Sequence, residues 1–437
     1  MKNVKRSFCG FLALLFGIAA LCGCDPGKAE ESRHESKEES VEYHDYAAEL
    51  KLNMSSETAK AKVTVHAFID GDTTHFNIDD PAFPNGILKA RYLAVNTPES
   101  TGKIEEYGKA ASNFTKEKLS HASSIIVESD NETWNMDSTG ARTLAWIWYR
   151  NSETEDYRNL NLEILMNGLC IASGTGQNRY GSTCTAALNQ ARAMKLNVYS
   201  GKPDPLFYYG EAVELTLAEL RQHVDEYGGI KVAFEGVVTR GYDNSVYVEE
   251  YDPETERYYG MVVYIGFNLS GQGQAIMRVG NRVRVVGTVQ YWETGGTYQV
   301  SGLTYRAIKP DDPDNIQKLG EGFEPAYVPI TAAQFNDGAY MAMALNTTIS
   351  LSDLYVYDVY TTSDPSSDDC GAMTLYCRDA AGLRVAVRTV PLRDAEGTLI
   401  TSKAYLGKNI DVRGLVDYYS GSYQVKLFNV ADITVTE

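Results

Sequence analysis

The sequence predicts a mainly β protein with some α: a five-stranded β-barrel carrying helices, followed by two smaller β-barrels. Three observations predict it. Short alternating runs rich in Val, Thr and Tyr recur from residue 62 to the end, and such runs suit pleated, half-buried strands. Tyr is abundant, with 30 residues against 13 Pro. The C-terminal half also repeats a strand–hairpin–strand pattern, which points to a duplicated β unit. A chain of 437 residues is too long for one ordinary domain.

Residues 1–24 read as a processing segment. Lys2, Lys5 and Arg6 form a positive start, and Phe8 to Cys22 is an apolar run too short for a comfortable membrane span. Leu21-Cys22-Gly23-Cys24 matches a bacterial lipobox, so Cys24 is the expected lipidation site and the membrane an expected partner. This predicts a lipid-anchored, extracytoplasmic protein of the bacterial cell envelope. Residues 25–47 are highly charged and almost without apolar side chains, as in AEESRHESKEES, and read as a disordered tether. Removing the three N-terminal cations takes the formal charge from −18 to about −21. A bulk-basic nucleic-acid binder is thereby excluded, because such affinity comes from clustered Lys and Arg. An acidic enzyme with local positive charge and a metal is compatible with the balance.

The first folded block is expected over 48–202. Lys62–Ile69 alternates and reads as a strand, Asp70-Gly71-Asp72 as a turn, and Thr73–Ile78 as the returning strand. Ile87–Val95 is a third strand, ended by Asn96-Thr97-Pro98-Glu99. Tyr107–Ser120 has apolar residues at helical spacing. Ser124–Glu128 and Arg142–Tyr149 complete five strands, and Asn159–Met166 and Ala186–Lys195 read as helices. Five strands with an embedded helix suggest a small barrel of the oligonucleotide-binding type.

Within this block Asp70, Asp72, Arg91, Asn96, Thr97 and Glu99 bring carboxylates, an amide and a guanidinium onto neighbouring strands. One hard cation and one phosphate would satisfy that set. Each member alone has a plainer reading: Asp70-Gly71-Asp72 as a turn, Arg91 as a surface strand residue, Glu99 as a helix N-terminal carboxylate. His66 and His75 read as core or surface histidines. Trp134, Trp146 and Trp148 read as core or barrel surface, with base stacking the lesser alternative.

The ordered motifs IDGDT, R-x-L-x-x-N-T-P-E, YGKAAS…FT, D-x-x-G-x-R-x-LAW, NLEILMNGL and A-x-x-x-KLNVYSG together resemble the staphylococcal nuclease (thermonuclease) family over about 140 residues. The resemblance implies a calcium-dependent nuclease that hydrolyses DNA and/or RNA phosphodiesters with water as nucleophile. It implies Asp72, Asn96 and the backbone carbonyl of Thr97 as the metal set, with Asp70 as candidate support. It implies Glu99 as the carboxylate that orients or deprotonates the water, and Arg91 and Arg142 as the pair that forks onto phosphate oxygens. The chain departs from the family at Asn96, where an aspartate is usual, so one negative charge is lost. It departs at Gly140-Ala141-Arg142, where one extra residue precedes the arginine. In the loop IASGTGQNRYGST, Arg179 and Tyr180 are the candidates to replace the family's substrate-contacting tyrosines.

Four cysteines lie beyond Cys24. Cys170 with Cys184 and Cys370 with Cys377 are local pairs, and in an oxidising compartment each pair reads either as a disulfide or as buried free thiols. Neither pair has zinc-ligand spacing with histidine.

Lys202-Pro203-Asp204-Pro205 marks a linker, and two β units are expected at 203–313 and 314–437. VGNRVRVVGTVQYW followed by TYQV resembles LGKNIDVRGLVDYY followed by SYQV, each a strand, a Gly-containing hairpin and a second strand. Both units resemble the oligonucleotide/oligosaccharide-binding barrels found beside bacterial extracellular nucleases. Arg240, Tyr242, Tyr247, Tyr291, Trp292, Tyr298, Tyr418, Tyr419 and Tyr423 are candidate contacts for a single strand, against the plainer reading of core and hairpin packing. Pro310–Val328 reads as the connection between the units. The functional expectation is a surface-anchored calcium-dependent nuclease leaving 3′-phosphates. The alternative is a weakened or inactive array that binds nucleic acid, glycan or protein at the cell surface. No protein partner is inferable.

Overall fold

Alternation of apolar residues along paired strands builds the same closed ring three times. The computed structural model describes residues 42–101, 104–266, 269, 271–293, 295–365, 367 and 369–436. The signal segment, Cys24 and most of the expected tether lie outside them. Among the described residues no helix is long and apolar enough to cross a membrane.

The first part runs α1 (Tyr46–Glu49), β1 (Lys60–Asp70), β2 (Thr73–Asn77), β3 (Ile87–Tyr92), β4 (Ala94–Asn96), α2 (Gly108–Ser120), β5 (Ser124–Glu128), β6 (Asn135–Met136), β7 (Thr143–Arg150), β8 (Arg158–Asn159), α3 (Leu160–Met166), β9 (Ile171–Ser173) and α4 (Gly181–Ala193). The sheet order β3-β2-β1-β5-β7 closes through a parallel β3–β7 pairing. Trp146, Trp148, Phe76, Leu88 and Val127 fill the core with α3 residues Leu162 and Leu165, so these tryptophans are packing residues.

Three local differences from expectation have clear causes. The chain is already ordered inside the expected tether: Asp45 accepts from Arg158 Nη2 at 2.9 Å, Ala47 is fully buried, and Gln190 clasps the His44 backbone. The expected third strand breaks after Tyr92, because Ala94 takes a left-handed φ of 67° and β4 leaves the barrel to pair with β9. Helix α4 begins at Gly181, five residues earlier than expected.

The second part contains β10 (Val213–Glu214), α5 (Leu217–Gln222), β11 (Lys231–Tyr242), β12 (Ser245–Asp252), β13 (Arg257–Tyr264), α6 (Gln272–Ile276), β14 (Arg282–Trp292), β15 (Thr297–Ser301) and β16 (Gln317–Gly320). The third contains β17 (Val328–Pro329), α7 (Ala332–Phe335), α8 (Gly338–Ala344), β18 (Thr348–Thr361), β19 (Met373–Arg378), β20 (Arg384–Thr389), β21 (Asn409–Tyr419), β22 (Ser422–Leu427) and β23 (Ile433–Thr436). Their orders, β11-β12-β13-β15-β14 and β18-β19-β20-β22-β21, close through β11–β14 and β18–β21. Both match the strand order of the first barrel. Strand β16 pairs with β14, so part of the stretch read as a connection is woven into the second sheet.

The second and third barrels meet through a small apolar cluster of Tyr247, Val262 and Leu415, with Phe428 against it. Gly260 is required there, since a Cβ would stand 2.2 Å from the Asn346 carbonyl oxygen. Buried Glu249 accepts from Thr239 Oγ1 at 2.6 Å and from Thr348 Oγ1 at 3.0 Å, tying the two barrels together. Arg240 pairs with buried Asp432 at 3.0 Å and lies over Tyr327, so it serves the joint.

The four cysteines are free thiols, so neither candidate disulfide forms. Cys170 and Cys184 are buried in the first core, where burial pushes both thiols up to about 12. Cys377 points into the third core, while Cys370 is exposed on a turn, so the two side chains occupy different environments.

Candidate active site

The β1–β2 turn sets the first two carboxylates. Asp70 ends β1, where its Oδ1 accepts from the Gly71 backbone N–H at 2.7 Å and from Ser100 Oγ at 2.7 Å. Asp72 is buried just before β2. Its Oδ2 accepts the Thr97 backbone N–H at 2.7 Å, and its Oδ1 accepts Thr73 Oγ1 at 3.0 Å. One carboxylate thus fastens the turn to the loop after β4.

Arg91 lies on β3 opposite Thr73. Its Nη1 is ion-paired with Asp72 Oδ1, and its Nη2 donates to Asn96 Oδ1 at 2.5 Å. The kink at Ala94 makes this second bond possible by turning Asn96 back toward a residue five positions earlier. Burial first, and the nearby positive charge of Arg142 second, lower the Arg91 pKa.

Glu99 follows Thr97 and Pro98. Its carboxyl is pushed up to about 7, first by burial and then by hydrogen bonding to the Asp70 carboxyl, with Arg91 acting the other way. Its backbone is held by Glu105: the Glu99 N–H donates to Glu105 Oε2 at 3.2 Å, and the Glu105 N–H donates to the Glu99 carbonyl at 2.9 Å. Helix α2 starts against that loop. Gly108 is needed because a Cβ would stand 2.2 Å from the Glu99 carbonyl oxygen.

Arg142 precedes β7, whose parallel pairing sets Leu144 beside Arg91 on β3. The turn from Asp137 absorbs the extra residue before it. Arg142 Nε donates to Asp137 Oδ2 at 2.8 Å and Nη2 to the same oxygen at 2.7 Å. Partial burial would raise Asp137, but hydrogen bonds from Thr139 and Arg142 and the Arg142 charge hold it down at about 2.

The structure therefore brings together Asp70, Asp72, Arg91, Asn96, Thr97, Glu99 and Arg142. It does not bring Tyr180 to them. That side chain packs edge-on against Trp146 and Trp148, at 5.0 and 5.8 Å, and donates to buried Glu128 at 3.0 Å. Tyr180 is thus partly buried against the core. His66 bonds Asn77 at the surface, and burial lowers His75 to about 4. Sequence reasoning missed Asp137, Ser100, Glu105 and Gln290, whose Nε2 donates to the Ser100 carbonyl at 2.6 Å from the second barrel. Asp137 and Ser100 had a local signal, one in the hairpin with Arg142 and one beside Glu99; Gln290 had none.

The donor chemistry fits a hard cation. Asp72 Oδ1 and Asn96 Oδ1 converge on one positive group, the Arg91 guanidinium. Thr97, whose backbone N–H is bonded to Asp72, has its Oγ1 buried without a hydrogen-bond partner, which an oxygen-seeking cation or its water would satisfy. Among the described residues no three His, Cys, Asp or Glu side chains cluster as a metal group.

A family model described as staphylococcal nuclease homologue matches residues 89–201, from within β3 to the end of the first block. A thermonuclease of Staphylococcus intermedius is 31% identical over 139 residues, which cover 31% of this chain and 74% of that protein. With the barrel order and the acid–arginine pocket beside these matches, the chain belongs to the staphylococcal nuclease family.

Proposed function

We propose that the chain is a calcium-dependent phosphodiesterase of extracellular DNA or RNA, held at the cell envelope through Cys24. The observation that carries this reading is the convergence of Arg91, Arg142 and Glu99 beside an oxygen cradle of Asp72, Asn96 and Thr97. A calcium ion in that cradle would supply electrostatic stabilisation of the phosphate and its developing charge. The chain's own residues carry the remaining work. Glu99, with its carboxyl near neutrality, takes a proton from water as the water oxygen attacks phosphorus. Arg91 and Arg142 donate to the non-bridging oxygens. The bond from phosphorus to the 5′ oxygen breaks, the leaving alkoxide takes a proton from solvent, and a 3′-phosphate remains.

The experiment is a calcium titration of oligonucleotide cleavage with analysis of the product ends. The reading expects a metal-dependent rate and 3′-phosphate ends; 5′-phosphate ends would contradict the assigned direction. Incorporation of labelled palmitate, lost in Cys24→Ser, tests the anchor. A second reading, a binding array with weakened chemistry, is favoured by one feature: Arg91 occupies both Asp72 and Asn96. A chain that binds oligonucleotide but shows no rate at millimolar calcium would support it.

A further inference from the structure

A groove of about 1350 Å³ runs between the three barrels. Small-molecule pockets are roughly 300–1,000 Å³, so this space suits a segment of polymer. One end is the active-site loop. Ser100 lines the groove, donates its hydroxyl to Asp70 at 2.7 Å, and receives Gln290 on its carbonyl. The groove is therefore continuous with the stretch that carries Glu99.

The internal repeat builds a further wall, which meets the loop where Gln290 bonds Ser100. Hairpin β14–β15 pairs Val289 with Val300, Gln290 with Gln299 and Trp292 with Thr297. Hairpin β21–β22 pairs Val416 with Val425, Asp417 with Gln424 and Tyr419 with Ser422, in the same register. Gln290 thus corresponds to Asp417, Trp292 to Tyr419 and Gln299 to Gln424. All six line the groove. The two hairpins also adjoin, since a Cβ at Gly296 would lie 3.6 Å from the Tyr418 ring. Trp292 is 43% exposed and Tyr419 52%, although both belong to barrels with well-filled cores. Duplicated barrels that turn equivalent exposed rings into one groove present repeated stacking planes.

The charges there point the same way. Lys116 pairs with Glu293, Lys231 with Asp314, Arg306 with Asp312 and Arg388 with Asp369. Lys109 and Lys426 are the groove cations, among the described residues, outside these pairs; Lys426 lies over the Tyr242 ring at 5.2 Å. Phosphate attraction is therefore small, and ring stacking must carry affinity. Bases offer free faces only in a single strand, because in a duplex they stack on one another.

We propose that this groove is a single-strand track: Trp292 and Tyr419 stack bases of DNA or RNA and lead the strand to the site at Glu99. The proposal rests on the nuclease reading for what happens at the end of the track, but binding can be measured without cleavage. The test uses the full chain in chelator with a fluorescent oligothymidylate of ~20 nucleotides, read by anisotropy. Loss of a stacked base contact weakens binding by about 5-fold or more, so Trp292→Ala and Tyr419→Ala each raise Kd by that factor, and the double variant by about 25-fold. Trp292→Tyr keeps near-native affinity and shows that the ring matters. With two free groove cations, and Arg91 and Arg142 where the strand reaches the site, the slope of log K against log salt lies between about −1 and −3. With calcium, the ratio of kcat/KM for a long single strand to that for a dinucleotide-length diester falls at least tenfold in the double variant. Unchanged oligothymidylate binding in the folded double variant, equal binding of a duplex, or a slope steeper than about −4 would overturn the track. Absent cleavage alongside ring-dependent binding would instead overturn the nuclease reading alone.

Discussion

Arg91 on β3 ion-pairs with buried Asp72, the residue before β2, and the same guanidinium reaches Asn96 Oδ1 at 2.5 Å. The geometry uses both terminal nitrogens of a planar fork, Nη1 toward a carboxylate and Nη2 toward an amide. Lysine keeps the charge but cannot hold two such partners at once. Arg91→Lys is therefore expected to fold and to lose about 100-fold or more in kcat, the usual cost of one donor aimed at developing charge. A kcat within threefold of the native value would remove Arg91 from the chemistry.

Asn96 gives the cradle an amide where a carboxylate would add negative charge. Asn96→Asp places that charge beside Arg91 without changing side-chain size. Calcium binding by titration calorimetry should tighten by about tenfold, since ligand charge sets affinity at oxygen sites. Unchanged or weaker binding would show that Asn96 does not face the ion.

Gly108 sets how closely α2 approaches Glu99. A Cβ there would stand 2.2 Å from the Glu99 carbonyl oxygen, which is backbone and cannot step aside cheaply. Gly108→Ala should cost on the order of 1–3 kcal/mol in unfolding free energy. It should also lower kcat by about 100-fold through displacement of Glu99, with KM little changed. Native stability together with native kcat would contradict this packing.

Glu249 makes the joint between the second and third barrels sensitive to pH. Burial pushes its carboxyl up to about 7 from an ordinary 4.5, against the hydrogen bonds from Thr239 and Thr348. A carboxyl raised in the folded state contributes stability that is present below 4.5 and lost as the pH rises through 7. The size is on the order of 3 kcal/mol. Glu249→Gln keeps the acceptor for Thr239 without the charge, so its Tm relative to the native chain should increase from pH 5 to pH 8. An equal difference at both pH values would show that Glu249 stays ionised in the fold.

How much of this could be read from sequence depended on whether the determinant was local. Ser124–Glu128 and Thr143–Arg150 declare themselves by composition, and the first barrel closes around them as expected. The motif from Arg91 to Glu99 placed the site residues together because they lie on one turn, one strand and one loop. The break at Ala94 was hidden, since alanine rarely adopts a positive φ and gives no turn signal. Tyr180 resembled a surface residue in a polar loop, yet Glu128, 52 positions away, gives its hydroxyl a buried partner. Strand β16 sits in a Pro- and Asp-rich stretch, and only its pairing with β14 reveals it. The Gln290–Ser100 bond depends on how two barrels dock, which no local pattern encodes.

The most direct test compares Glu99→Gln with the native chain, from residue 25 onward, in single-stranded DNA hydrolysis with millimolar calcium and with chelator. The account predicts hydrolysis that requires calcium and falls at least ~100-fold in the variant, as loss of a general base entails. Calcium-dependent hydrolysis that persists undiminished in a folded Glu99→Gln chain would contradict it.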